Sequence, residues 1–410
     1  MKVSSHILNP YKGLKREVYL IFISKTINAM GFLIIPFMAL LLSTKVGLSN
    51  ADTGFYVAVS GLMWAPAALI GGRLSDSIGR KKVLITGELL ATAAYLVCFF
   101  LEPGMSMVYM LMAASFFFGV AGPSHDALTA DLTSPEQREG AYSLNYLGFN
   151  LGFAFAQILA GFLFQNHLKI MFLIDALTAL SGLMLIAFLV KEPERGNLSQ
   201  ERGGKNSDSE SGSNRTVLAI LWAKPILLVF ALTICGYRFL YSQWPFLIPL
   251  HLEHNFPKEG ARIFGFLGSF NALIVVVLIP VLTALLHHKS HVRKVFYAGL
   301  LFTFGFGMLG FVSMKAAFFV SVLVITLGEV LDAISVMPFI MNHSPSTHRG
   351  RMSAILPIIM GTGFYLGPVI MGSVLDHSGF RFTWFLTAVV GVVMTLIMKG
   401  IDVADGAGNG

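Results

Sequence analysis

The stretch Gly71–Gly87, GGRLSDSIGRKKVLITG, separates two long apolar runs with glycine and charge, and its reading decides the fold. Residues 53–74 upstream and 83–101 downstream are predominantly apolar, and each run has about the 20 residues that cross a bilayer. The charged break is therefore a loop between two spanning helices. Gly71 and Gly72 suit a close approach of helix backbones, Asp76 sits where it can meet a helix N-terminus or an arginine, and Gly79 permits a tight turn. Such a cluster can latch helices together. The plainer reading makes Arg80, Lys81 and Lys82 topology charges and the glycines turn residues.

Composition points the same way. Of 410 residues, 55% are hydrophobic and only 12% charged, about half the charge of an ordinary soluble domain. This is the composition of a polytopic membrane protein. The net charge of +7 would suit a nucleic-acid partner if it were clustered on a soluble domain, but it is spread over loops on one side of the spans. Lysines and arginines crowd the N-terminal segment, the Arg80–Lys82 break, residues 191–224 and residues 289–294, while the opposite side holds Lys45, Lys169, Lys258, Arg262, Lys315 and Arg381. That bias places both termini in the cytoplasm. The first apolar run, residues 18–42, is too long for a signal-peptide core, so it reads as the first span. Cys98 and Cys235 fall within apolar spans and suggest no structural disulfide.

Apolar runs bounded by polar, Gly or Pro breaks predict six helices at 18–43, 53–74, 82–101, 105–130, 140–164 and 169–190, and six more at 225–250, 262–286, 293–313, 316–341, 350–375 and 380–400. Residues 191–216, rich in Ser, Gly and charge without an aromatic, predict a flexible cytoplasmic linker. The expected organisation is an all-α membrane protein with an N-terminal six-helix bundle (1–190), the linker (191–216) and a C-terminal six-helix bundle (217–410). The halves repeat. Lys25 and Pro36 recur as Arg238 and Pro249, Gly54 as Gly265, Lys82 and Gly87 as Lys294 and Gly299, and Gly152 and Gly161 as Gly363 and Gly372, at a nearly constant offset. A parallel repeat of two six-helix halves is a known transporter architecture.

Gly72, Asp76, Gly79, Arg80, Lys81 and Lys82 fit G-x-L-x-D-x-x-G-R-K-K, which resembles the loop between helices 2 and 3 of the major facilitator superfamily of secondary transporters. The resemblance extends over essentially the whole chain. It implies that Asp131, at the end of helix 4, and Arg138, in the loop that follows, are partners of the hinge; ordinary helix capping around Thr133–Glu136 is the alternative. Gly148 and Gly152 with Ala156 and Ala160 form a small-residue face on helix 5, and Gly363, Gly367, Pro368 and Gly372 form one on helix 11, both suited to close packing. The helix 11 pattern is similar to an antiporter signature that in drug exporters sits in helix 5, where this chain has Ala156-Gln157.

Ionisable groups inside spans carry the most information, because a charge in the bilayer is costly unless it meets a partner or water. Glu88, His125 and Asp126 lie near helix ends, from which Glu88 can simply reach the interface. Lys25 and Arg238 occupy repeat-equivalent places near the midplane. Such a pair can bind an anionic or carbonyl-bearing substrate, as in organic-phosphate members of the superfamily, or it can neutralise local acids such as Asp175, Glu329 and Asp332. Tyr237, Tyr241, Gln243, Trp244 and Asn28 are candidates to line the same substrate site, or are plain helix packing. Glu329 and Asp332, three apart on helix 10, are candidate proton carriers, with Asp126 and Asp175 as further acids.

The reading is a proton-coupled secondary transporter similar to the drug:proton antiporter group, exporting small amphipathic molecules by alternating access. Its partners are a small-molecule substrate, protons and the bilayer of the cell membrane; no nucleic acid is expected, and the protein is read as a monomer. Rival readings are an organic-anion or lipid transporter using Lys25 and Arg238, or a transporter-derived sensor. No metal-ligand cluster, nucleophile motif or phosphate-cradling loop is evident, so neither enzyme activity nor a cofactor is expected.

Overall fold

The computed structural model describes residues 13–192, 225–344 and 349–408, and the described residues are predominantly helical, without a strand. Residues 193–216 of the expected linker lie outside the described residues. We number the main helices α1 (Arg16–Met30), α2 (Asn50–Ile78), α3 (Arg80–Phe100), α4 (Met105–Asp131), α5 (Pro135–Leu163), α6 (Leu168–Leu189), α7 (Pro225–Tyr241), α8 (Gly260–Leu285), α9 (His291–Met308) and α10 (Lys315–Ala333). The last helical stretch, Arg349–Gly408, is divided at Gly379, whose φ of 71° is non-helical, into α11 (349–378) and α12 (380–408). These twelve helices follow the expected order. Nine helical stretches among the described residues are long and apolar enough to cross a membrane.

The ends of the helices follow local chemistry. Gly79, with φ of 111°, makes the turn between α2 and α3, a conformation that L side chains seldom adopt. Ser134 and Gln137 close a capping box at the start of α5, and the Ser290 hydroxyl accepts from the Arg293 amide at 3.2 Å at the start of α9. Both devices satisfy amides that a first helical turn leaves unpaired.

Helices 1, 7 and 10 are broken, where the sequence predicts unbroken spans. α1 ends at Met30, and the chain resumes through a 3₁₀ turn at Ile35–Phe37 and a π-helical segment at Leu41–Val46. Pro36 removes an amide donor there. The Leu33 and Ile34 amides, just past the end of α1, donate to the Asp175 carboxylate of α6, at 3.0 and 3.3 Å. α7 likewise stops at Tyr241 and resumes at Leu247–Asn255, which holds the repeat-equivalent Pro249, while α10 resumes at Val336–His343.

Packing divides the chain into two compact units. The first comprises Met1–Ser49, Phe55–Pro193 and Ile248–Leu273; the second comprises Asn50–Gly54, Glu194–Leu247 and Ile274–Gly410. In the first, Val18 and Ile21 of α1, Leu84 of α3, Leu128 of α4 and Ile186 of α6 are buried in one apolar cluster. Large apolar side chains such as Phe100, Phe188, Phe304 and Phe311 are exposed. Large apolar side chains on the outer faces of the helices are how a helical bundle meets lipid.

The sequence repeat is a repeat of contacts. In the first unit a side chain at Gly148 or Gly152 of α5 would collide with Phe22, Thr26 or Ala29 of α1; in the second, one at Gly363 or Gly367 of α11 would collide with Cys235, Ser242 or Gln243 in and after α7. Gly161 packs on Ala261 and Arg262 at the start of α8, and Gly372 on Asn50 and Ala51 at the start of α2. Gly265 meets the Gln157 carbonyl and Gly54 the Pro368 carbonyl. The small-residue faces of helices 5 and 11 thus perform the same packing twice, and Pro368 replaces Gln157 at the repeat-equivalent place.

Candidate functional site

Lys25 and Arg238, at repeat-equivalent places, each meet an acid on the fourth helix of their own half. Arg238 of α7 donates from Nη2 to Oδ2 of Asp332 on α10 at 2.6 Å, with the Asp332 side chain 3% exposed. Lys25 of α1 lies 3.9 Å from Asp126 of α4, whose side chain is 65% exposed. One pair is tight, with its acid buried; the other is loose and open. A carboxylate of that exposure facing lipid would be costly, so Asp126 belongs on a face that water reaches.

The remaining ionisable candidates divide by what holds them. Asp175 is buried and occupied by the Leu33 and Ile34 amides, so it stabilises the break in helix 1. Glu329 is half-buried on α10, one turn before Asp332. Among the polar and aromatic candidates, Tyr237 is buried, its ring edge-on to Phe302 at 6.1 Å and its hydroxyl beside Gly299 of α9. Gln243 is buried too, its amide donating to the Phe239 carbonyl at 2.9 Å and the Ser242 hydroxyl at 3.0 Å. Both serve the packing of α7. Trp244 is buried, Tyr241 lies 5.9 Å from Phe302, and Asn28 is half-buried one turn beyond Lys25.

The hinge is a charge cluster around Arg80. Its guanidinium lies 2.6 Å from the buried Asp131 carboxylate at the end of α4 and 3.9 Å from Asp76, which is 70% exposed. Gly71 packs against the Val120 backbone of α4, whereas a side chain at Gly72 would meet open space. Close approach is therefore the work of Gly71 alone. Arg138 lies in the first turn of α5, where its amide bonds the Ser134 carbonyl.

Sequence reasoning missed three features. Glu192 accepts from the Arg80 amide at 2.8 Å and the Lys81 amide at 3.2 Å, capping α3 from the far end of α6. Its counterpart closes the second half, where Asp402 near the end of α12 meets Arg293 of α9 at 3.2 Å. The signal was an acid just past the last apolar run of each half. The second feature is Asp376 of α11, which accepts from the Asn50 and Ala51 amides at 3.2 and 2.8 Å and so caps α2. Third, Glu88 and His125 do not extend to an interface but pair with each other inside the first unit at 3.0 Å.

The family model described as Major Facilitator Superfamily matches residues 21–331 and 290–405. The chain belongs to the major facilitator superfamily. Among relatives, the chain is 25% identical to multidrug resistance protein 2 of Bacillus subtilis (strain 168), over 94% of this chain and 96% of that one. It is 23% identical to a Na(+), Li(+), K(+)/H(+) antiporter of Planococcus maritimus, over 87% and 92%, and 24% identical to the class B tetracycline resistance protein of Escherichia coli, over 86% of each. Solved structures share the fold: peptide transporter POT in complex with sulfate superposes with a TM-score of 0.74 at 13% identity, covering 95% of this chain and 96% of that one. Nucleoside transporter NupG does so with a TM-score of 0.74 at 12% identity, covering 93% and 99%. This superfamily member is thus a multi-pass membrane protein of a transporter family, and its transporter relatives imply small-molecule substrates and ion coupling.

Proposed function

We propose that this superfamily member is a proton-coupled exporter of small amphipathic, preferentially cationic, molecules in the cell membrane, with both termini in the cytoplasm and alternating access between two bundles. The observation that carries the reading is the loose Lys25–Asp126 pair. A carboxylate held at 3.9 Å from its lysine and 65% exposed can exchange that lysine for a substrate cation at little cost, because neither partner is fully desolvated. Resistance and antiporter relatives that match nearly end to end support the same reading. An organic-anion site built on both cations is less favoured, since Lys25 and Arg238 each already face an acid.

The test is transport in proteoliposomes. A pH gradient, acid inside, should drive tetraphenylphosphonium into the lumen of vesicles holding inside-out protein, and Asp126→Asn should abolish that movement. Uptake of labelled organic anions with no movement of tetraphenylphosphonium would overturn the reading.

A further inference from the structure

The Glu88–His125 pair is buried, ionisable and unused by the site described above. Glu88 Oε1 lies 3.0 Å from His125 Nε2, with side-chain exposures of 4% and 14%. Gly87 makes room for the contact, because a side chain there would press on the Phe117 carbonyl and Ala121 of α4. The other ring nitrogen of His125, Nδ1, is buried without a hydrogen-bond partner among the described residues. The next residue along α4 is Asp126, facing Lys25. Adjacent residues of one helix therefore hold two pairs, one shut away and one open.

The surroundings leave the pair to balance its own charge. Ionisable groups on the helices of this unit include Lys25 of α1, Arg73 and Asp76 of α2, Tyr95 of α3, Asp126 of α4, Tyr142 of α5, whose hydroxyl donates to the Asp126 carbonyl at 2.9 Å, and Asp175 of α6. Asp175 is taken by backbone amides, and Arg80 and Asp131, beyond them towards the end of α4, neutralise each other. Lys25, set against Asp126, the residue next to His125, is held only loosely.

A carboxylate and an imidazole in contact are neutral as a pair when they share one proton. Removing it leaves a net negative charge in a dry site, and adding a second leaves a net positive one; both are costly without a compensating charge. The geometry points to Glu88–His125 as a proton-binding site of the first unit, coupled through α4 to the substrate cation at Asp126. This rests on the proton-coupled reading above. When a substrate cation takes Asp126, the Lys25 ammonium is released from its partner and its positive charge weakens the neighbouring pair's hold on the proton. The proton passes to water as hydronium, and the Lys25 ammonium released from Asp126 offsets the pair's new negative charge. Substrate loading and proton loss are then linked, and the linkage runs both ways.

The experiment uses the full-length protein purified in detergent, with tetraphenylphosphonium as the probe. Adding it to the wild type in weak buffer should release about one proton per probe bound, and binding measured over a pH series should weaken as pH falls. Glu88→Gln and His125→Asn should bind the probe with no proton release and no pH dependence, while Glu88→Asp, which keeps the carboxyl, restores both. Variants with wild-type melting temperature that keep full proton release and pH dependence would overturn the inference and leave the export reading standing. If the wild type does not move tetraphenylphosphonium in proteoliposomes, the export reading falls and the pair is scored by potentiometric titration alone. There it stands if the double variant binds fewer protons than the wild type over the same pH range, and falls if it binds as many.

Discussion

The Arg80 guanidinium lies 2.6 Å from the Asp131 carboxylate and ties the start of α3 to the end of α4. Asp76, the hinge acid of the motif, stands off at 3.9 Å and is 70% exposed. The two acids should therefore separate in a mutational test. Asp131→Asn leaves a largely buried arginine without its main partner, which costs about 3 kcal/mol, and should lower the melting temperature in detergent. Asp76→Asn should leave melting unchanged and lower transport, if its charge acts only when the bundles rock. A clear loss of stability in Asp76→Asn with none in Asp131→Asn would contradict this geometry. Gly72→Ala, set in open space on a helix, should be neutral or stabilising by about 0.5 kcal/mol.

A matched pair of glycines tests the repeat. Gly152 packs on α1 and Gly363 on α7, each against backbone of the neighbouring helix. Backbone cannot rotate away as a side chain can, so Gly152→Val and Gly363→Val should each cost about 1 to 3 kcal/mol through overpacking. Loss of yield and melting temperature should be similar for both. If one is silent, the two faces are not doing the same work.

How legible this was depended on the kind of signal. Apolar length and loop charge were sufficient for the helix order, because a bilayer requires spans of one length and satisfies no stray backbone amide. The repeat in Gly152, Gly161, Gly363 and Gly372 was readable because close backbone approach admits few residue types. The breaks in helices 1 and 7 were not read, although Pro36 and Pro249 marked both, because a proline in a span is tolerated wherever another group satisfies the backbone that the break leaves unpaired. At the first break that group is Asp175, 142 residues away from Leu33, and no local pattern announces it. Glu88 and His125 were misplaced for the same reason: their pairing joins two helices, and sequence distance to a helix end says nothing about which way a side chain turns.

Asp376 offers a test on the opposite side from the hinge. It caps α2 from α11, with the Asn50 side chain also donating to it at 2.7 Å. Removing a cap carboxylate costs about 1 kcal/mol, so Asp376→Ala should destabilise modestly and Asp376→Asn less, because the amide oxygen still accepts. Because the cap joins a helix of the first sequence half to one of the second, Asp376→Ala should also increase the labelling of a cysteine placed at Asn50 by a membrane-impermeant maleimide. Unchanged labelling and unchanged melting would show that the cap contributes nothing to holding the start of α2.

The Arg238–Asp332 pair decides whether helix 10 carries the proton. Asp332 is 3% exposed and bonded to Arg238 at 2.6 Å, the geometry of a fixed counter-charge. A fixed counter-charge and a carrier respond differently to the same substitution. If the pair is fixed, Asp332→Asn strands Arg238 inside the bundle at a cost of about 3 to 5 kcal/mol, and the protein should be recovered in low yield. Replacing both partners by apolar residues, Arg238→Met with Asp332→Leu, should recover much of that stability, because no buried charge is then left unpaired. Glu329→Gln, one turn away and half-buried, should fold and retain pH-driven transport. The measurements are yield, melting temperature, counterflow and pH-driven uptake on the same purified proteins. A well-folded Asp332→Asn that retains counterflow and loses pH-driven uptake would make Asp332 a carrier, because the substrate site would be intact and only the coupled charge movement lost. The expected result is the reverse: stability lost with the single change, regained with the double one, and coupling left to the first unit.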